Sequence, residues 1–170
     1  MVLSAKGQPE LRAAAIALKR VDRSLRSEIN TAMRQQGNDI WRGEVEGRRV
    51  NALDGAILTK GARIAAGNPP VAIAASSKRP IGRSRRLVPD QTWQAWEFGA
   101  EGRDLYTTYD RKSPNGGTHQ VRRRTARQLP PRYRKGRVLY PAVERSAPRL
   151  AALFVKLVVS KVMDAIDGGR

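Results

Sequence analysis

Apolar positions recur at intervals of three and four along the first part of the chain: Leu11, Ala14, Ala15, Leu18, Val21, Leu25, Ile29, Ala32, Met33 and Ile40. Arg12, Lys19, Arg23, Arg26 and Arg34 fall mostly between them. This is the period of an amphipathic helix. Pro9 suits a first helical turn, and Glu10 suits the positive end of the dipole. The pattern runs on past Gly37 toward Arg49. At ~1.5 Å per residue that helix would be roughly 60 Å long, whereas a compact domain of this size is only about 40 Å across. The helix is therefore expected to break near Gly37 or Gly43, or to project one end onto another subunit.

Asn51 to Gly61 reads as a short helix or irregular turn stopped by Gly61. Two small-residue strands follow, Ala62 to Ala66 and Val71 to Ser76, joined by a Gly-Asn-Pro-Pro turn. Alternation sets Ile64 and Ala66 opposite Arg63 and Ala65, and gives Val71, Ile73 and Ala75 a common face. Lys78 to Pro89 reads as an extended basic loop. Trp93 to Gly99 has the composition of a strand, as does Leu105 to Tyr109, with Gly99 to Asp104 turning between them. Val138 to Tyr140 reads as a short closing strand. The last element is a helix with Pro141 or Pro148 in its first turn and Ser146 as a candidate N-cap for a start at Ala147. Its stripe is Leu150, Leu153, Phe154, Leu157, Val158, Met163 and Ile166, and Gly168-Gly169 ends it. The expected fold is one α+β domain over residues 1–170. A long N-terminal helix and a C-terminal helix pack on one face of a small mixed or antiparallel sheet, with long basic loops between strands.

Charge changes this picture. The 170 residues carry a formal charge of +18, and Arg111 to Arg137 alone holds ten Lys or Arg and no Asp or Glu. Pro114, Asn115-Gly116-Gly117 and Pro130-Pro131 resist helix there. The stretch is expected to be a long excursion between strands, an arm presented by the scaffold. Residues 78–89 form a second, smaller basic loop. Such charge points to a polyanion or an acidic protein surface as partner.

Catalytic chemistry has little to work with. There is no Cys, which excludes disulfides, thiolate zinc sites and thiol nucleophiles. The single His, His119, sits in a Gly-rich basic loop with Asp110 as the nearest acid. Glu97, Glu101, Asp104 and Asp110 cluster loosely, and a metal-dependent nuclease using Glu97 or Asp110 is the weakest of three readings. No phosphate-loop, dinucleotide or nucleophile-elbow motif occurs, so no cofactor is implied and the chain reads as non-enzymatic. No window is apolar enough to cross a bilayer; the best, Leu150 to Val159, is short and interrupted by Lys156. The N-terminus lacks the apolar core of a signal peptide, so synthesis in the cytoplasm and no membrane partner are expected. A second reading is a basic, non-sequence-specific nucleic-acid-binding protein of ribosomal or nucleoid type. It rests on many phosphate-binding cations and no base-reading motif.

The first reading comes from a resemblance. The segment L-R-A-A-A-I-A-L-K-R-V-D-R-S-L-R-S-E-I-N-T-A-M-R resembles the start of tailed-phage neck and tail-completion proteins. W-E-F-G, T-Y-D-R-K-S-P-N-G-G-T-H-Q-V-R-R-R-T and G-R-V-L-Y-P-A-V resemble versions from phages of actinobacteria. Many relatives carry A-P-x-x-T-G-x-L after the first helix, where this chain reads G-N-P-P-V-A-I-A-A-S-S-K-R-P-I-G. The resemblance implies a virion protein of the head–tail junction. Its copies would form a ring around the DNA channel, with neighbouring connector and tail-ring proteins, genomic DNA and itself as partners. Each half of a 27-residue excursion could reach roughly 40 Å at ~3.3 Å per residue. Lys78, Arg79, Arg83, Arg85, Arg86, Arg111, Lys112, Arg122, Arg123, Arg124, Arg127, Arg132, Arg134, Lys135 and Arg137 are the expected contacts to subunits or DNA.

Overall fold

The computed structural model describes residues 9–82, 87–100, 105–125 and 129–167. Among them the chain is α+β, with five α-helices and two separate two-stranded antiparallel sheets. The expected single sheet is thus two small ones.

The N-terminal pattern forms two helices, α1 (Pro9–Arg20) and α2 (Arg23–Glu46). The break falls at Val21-Asp22, not at Gly37 or Gly43, and two side chains explain it. Asp22 takes an extended conformation, and its carboxylate accepts from the amides of Ser24 at 2.7 Å and Leu25 at 3.3 Å, capping α2. Arg26 turns back and donates to the carbonyls of Leu18, Lys19 and Val21, satisfying the end of α1. Gly37 continues the helix because its missing side chain is useful there. A Cβ would lie 3.2 Å from Ile64 and 3.4 Å from Leu150, so Gly37 sits where β1 and α5 side chains come close to α2.

Asn51 opens α3 (Ala52–Asp54) with a capping box, and a π-helical turn, Gly55–Thr59, follows. Strands β1 (Arg63–Ala65) and β2 (Val71–Ile73) pair in the order Arg63↔Ile73, Ile64↔Ala72, Ala65↔Val71. So short a sheet is marginal alone. Here α2 completes its hydrogen bonding. Asn38 accepts from the Ile64 amide at 2.7 Å, Trp41 donates to the Ile73 carbonyl at 2.9 Å, and Arg42 donates to the Ala62 carbonyl at 2.8 Å.

Two expected strands are helical. Trp93–Phe98 belongs to α4 (Pro89–Phe98), and Val138–Tyr140 leads into α5 (Leu139–Asp167). In α4, Pro89 opens the helix, and Pro89, Trp93 and Trp96 recur at helical spacing, a pattern that outweighs aromatic strand propensity. In α5, Pro141 is in the first turn, while Pro148 lies inside the helix and Ser146 is a buried interior residue, not an N-cap. Helix α5 packs on α2 and α1 through Leu150, Phe154 and Val158. With Leu18, Ile29, Met33, Trp41, Val45, Ile57 and Leu58 they make one core.

Candidate functional site: a basic ribbon on a buried anchor

The stretch expected to be an irregular excursion contains a β-hairpin. Strand β3 (Leu105–Lys112) is longer than expected, and β4 (Thr118–Thr125) pairs with it throughout, from Leu105↔Thr125 to Lys112↔Thr118. At the tip the Ser113 amide donates to the Gly117 carbonyl at 2.6 Å, and the Gly116 amide donates to the Ser113 carbonyl at 3.1 Å. Pro114 and Asn115 fill the turn and Gly116 takes φ +83°, the left-handed position that such a three-residue loop requires. Eight residues at ~3.3 Å give strands of roughly 26 Å.

Among the described residues β3 and β4 pack on each other and hardly at all on any other element. From Thr108 to Arg123 almost every side chain is exposed on both faces; only Ser113 and Val121 are half-buried. The ribbon therefore stands off the scaffold. Arg111 and Lys112 end β3, and Arg122 and Arg123 lie in β4, all exposed. Arg124 also belongs to β4. Asp110 is the acid of this segment. Tyr109, opposite Val121, sits amid the polar residues. His119 Nδ1 lies 2.8 Å from Ser113 Oγ, at the tip and exposed.

The other expected contacts divide. Lys78 and Arg79 are exposed after β2, in a segment closed by the Asp90 amide donating to the Ser77 carbonyl at 3.1 Å. Arg83, Arg85, Arg86 and Arg127 lie outside the described residues. Arg132, Arg134 and Lys135 are exposed on the return segment, beside the anchor instead of on the ribbon. Arg137 differs from all of these. It turns inward, its side chain 19% exposed, and pairs with the fully buried Asp54 at 3.4 Å while donating to the Trp96 carbonyl at 3.1 Å. Its place in the fold is structural.

Arg137 belongs to a buried polar network that fixes the return of the arm. Asp54 accepts from the Trp96 indole at 2.7 Å and from the Val50 and Asn51 amides at 2.9 and 3.3 Å. Glu97, also fully buried, accepts from the Val138 and Tyr140 amides at 3.1 Å, at the N-terminal end of α5. A carboxylate there satisfies orphan amides and meets the positive end of the dipole. Its oxygens are thus engaged in holding two helices together, which leaves the residue poorly placed to serve as a metal ligand. Among the described residues no group of three or more His, Asp or Glu could hold a metal ion. Gly136 makes room for Glu97, and Gly99 lets the chain pass against the carbonyls of Pro130 and Pro131. The Ala100 amide bonds to Pro130 at 3.1 Å and the Tyr133 amide to Phe98 at 2.7 Å. Residues 130–137 are therefore tied to the C-terminal end of α4.

Sequence reasoning missed β4 and the network. The turn S-P-N-G-G between residues of strand type was a signal for the hairpin. N-A-L-D was a signal for the capping box that places Asp54. No comparable signal marked the burial of Glu97 and Arg137. Among the described residues no helix is long and apolar enough to cross a membrane. Comparison of the chain with protein-family models, with curated proteins and with solved structures returns no match.

Proposed function

We propose that this chain is a non-enzymatic structural protein of the tailed-phage head–tail junction, whose copies form a ring that joins or completes the tail around the DNA channel. The resemblance of its helix and ribbon segments to neck proteins supplies the setting. The observation that supports an assembly role is the ribbon itself: a two-stranded element, exposed on both faces and hardly packed on the scaffold. An isolated hairpin is marginal in water, so a ribbon of this kind gains order when something covers it. Its cations suit an acidic protein ring or the phosphates of passing DNA.

The test is mass photometry and negative-stain microscopy of the purified chain, with immunogold labelling of phage particles that encode it. Rings in solution and label at the neck are expected. A strictly monomeric chain that is absent from particles refutes the reading. A variant with residues 107–123 replaced by a short Gly-Ser turn is expected to fold normally and to lose head–tail joining.

One observation favours the nucleic-acid reading as a second. A two-stranded ribbon is narrow enough for a DNA major groove, and Gln120 and Arg122 project from the same face, two residues apart on β4. Tight duplex binding by the wild-type monomer, with a steep salt dependence, would favour it.

A further inference from the structure

Two exposed surfaces of the chain match each other and are not packed together within one copy. The first is the C-terminal half of α5. Beside its buried line of Leu150, Phe154 and Val158 runs a second apolar line, Val159, Met163 and Ile166, exposed by 56, 55 and 62%. Spacings of four and three keep these side chains on one face. The line continues into a groove of about 450 Å³ between the end of α5 and the α1–α2 junction, floored by Val21, Leu25, Val162 and Ile166. Acids bracket it. Asp22 and Glu28 line the groove, and Asp164 and Asp167 are exposed in the last turns of α5. Only 15 acids stand against 33 Lys and Arg in the whole chain, so four of them around one apolar strip are a strong local departure. Of the nearby cations, Arg26 is occupied by the carbonyls ending α1, and Lys161 makes an exposed 3.4 Å pair with Glu28; Arg23 and Lys156 are exposed.

The second surface is one face of the ribbon. Register places Tyr109 opposite Val121, and Arg111 and Arg123 lie on the same face, two residues away toward opposite ends. An apolar pair is thus flanked on both sides by cations at roughly 7 Å along the strands. Tyr109 is 42% exposed, and β3 and β4 hardly pack on α5 of their own chain.

We propose that the ribbon of one copy lies across the α5 strip of the next. Tyr109 and Val121 cover Val159, Met163 and Ile166, and Arg111 and Arg123 meet the acids on either side. The contact is head-to-tail, the type that closes into a ring when the rotation between copies allows. The inference rests on the ring reading above and names the surfaces that make the ring.

The absence of Cys makes the test clean. Tyr109→Cys and Met163→Cys are placed together in the full chain, which is then oxidised and run on a non-reducing gel. A ladder of covalent oligomers is expected, since each copy then bridges two neighbours, whereas either single variant yields dimers at most. In parallel, Arg111→Glu with Arg123→Glu is expected to lower assembly at least tenfold. Adding Asp164→Arg and Asp167→Arg is expected to restore half or more of it, with circular dichroism confirming the fold throughout. Wild-type rings without a ladder and without charge rescue overturn this inference and leave the ring reading standing; a wild-type monomer overturns both. Efficient dimers from Met163→Cys alone would assign the strip to α5–α5 pairing. Loss of duplex DNA binding by the ribbon variant, with assembly unchanged, would assign the ribbon to DNA. Either outcome overturns the inference.

Discussion

Asp54→Ala is the substitution whose cost follows most directly from the geometry. The Asp54 carboxylate has no exposure to water, and four donors converge on it: the Trp96 indole at 2.7 Å, the Val50 and Asn51 amides at 2.9 and 3.3 Å, and the Arg137 guanidinium at 3.4 Å. Val50 and Asn51 are exposed residues, so water replaces part of what their amides lose. The indole is buried and the Arg137 side chain is only 19% exposed, so these two donors carry most of the penalty. An unsatisfied buried donor costs about 1–3 kcal/mol, and removing one partner of a buried ion pair costs about 3–5 kcal/mol. Because these overlap, a loss of about 3–5 kcal/mol in total is expected. A domain of this size shifts by about 2–4 °C per kcal/mol, so the melting temperature should fall by roughly 6–20 °C. Urea unfolding followed by tryptophan fluorescence measures the change in midpoint. A double-mutant cycle with Arg137→Ala isolates the pair, and a coupling of about 1–3 kcal/mol is expected. Hydrogen exchange should also rise in residues 129–137, which Arg137 ties to α4. A loss below about 1 kcal/mol, or an Arg137→Ala cost that is the same with and without Asp54, would refute the view that this network anchors the arm.

Gly43→Ala should stabilise by about 0.5–1 kcal/mol, because Gly43 is an exposed interior residue of α2 with open space around its Cα. Gly37→Ala should lose that gain in the 3.2 Å contacts with Ile64 and Met33; thermal melts of the two variants make the comparison. Gly136→Ala should cost about 2 kcal/mol or more in the same urea assay, since φ is +79° and the new Cβ would lie 2.5 Å from Glu97 Oε1. Asp22 is held below its ordinary pKa of 3.8, first by the Ser24 amide and then by the Leu25 amide. Its folded value is the lower one, so its contribution is complete above 3.8 and fades as pH falls through the folded value. Asp22→Asn keeps a capping side chain and should remove that acid-side dependence, which two-dimensional NMR titration of Asp22 and stability measurements between pH 2 and about 5 would check.

The helices were legible where period and burial agree. Leu11 to Ile40 and Leu150 to Ile166 carry a three-and-four repeat, and both segments are helical. The break at Asp22 was not legible as a break, because the apolar repeat passes through it. The cap is made by Asp22 and Arg26, whose roles depend on which way each side chain turns. Gly37 looked like a stop because glycine disfavours helix, yet tertiary approach by β1 and α5 makes glycine the residue that fits. Trp93–Phe98 shows the converse. Aromatic composition suggests a strand, whereas Pro89 at the first turn and apolar spacing at 89, 93 and 96 favour the helix that forms.

The candidate site divides along the same line between local and long-range information. The concentration of cations in Arg111–Arg137 is a local fact, and most of the described ones are exposed. What separates Arg137 from Arg134 or Lys135, three and two residues earlier, is a carboxylate 83 positions away. One run of charge therefore holds two kinds of arginine. Arg111 and Arg123 lie exposed on the ribbon, while Arg137 joins the buried network that ties residues 130–137 to α4. Substituting the whole run together would confound arm function with folding. Arg111 and Arg123 probe the surface, and Arg137 probes the buried network beside it.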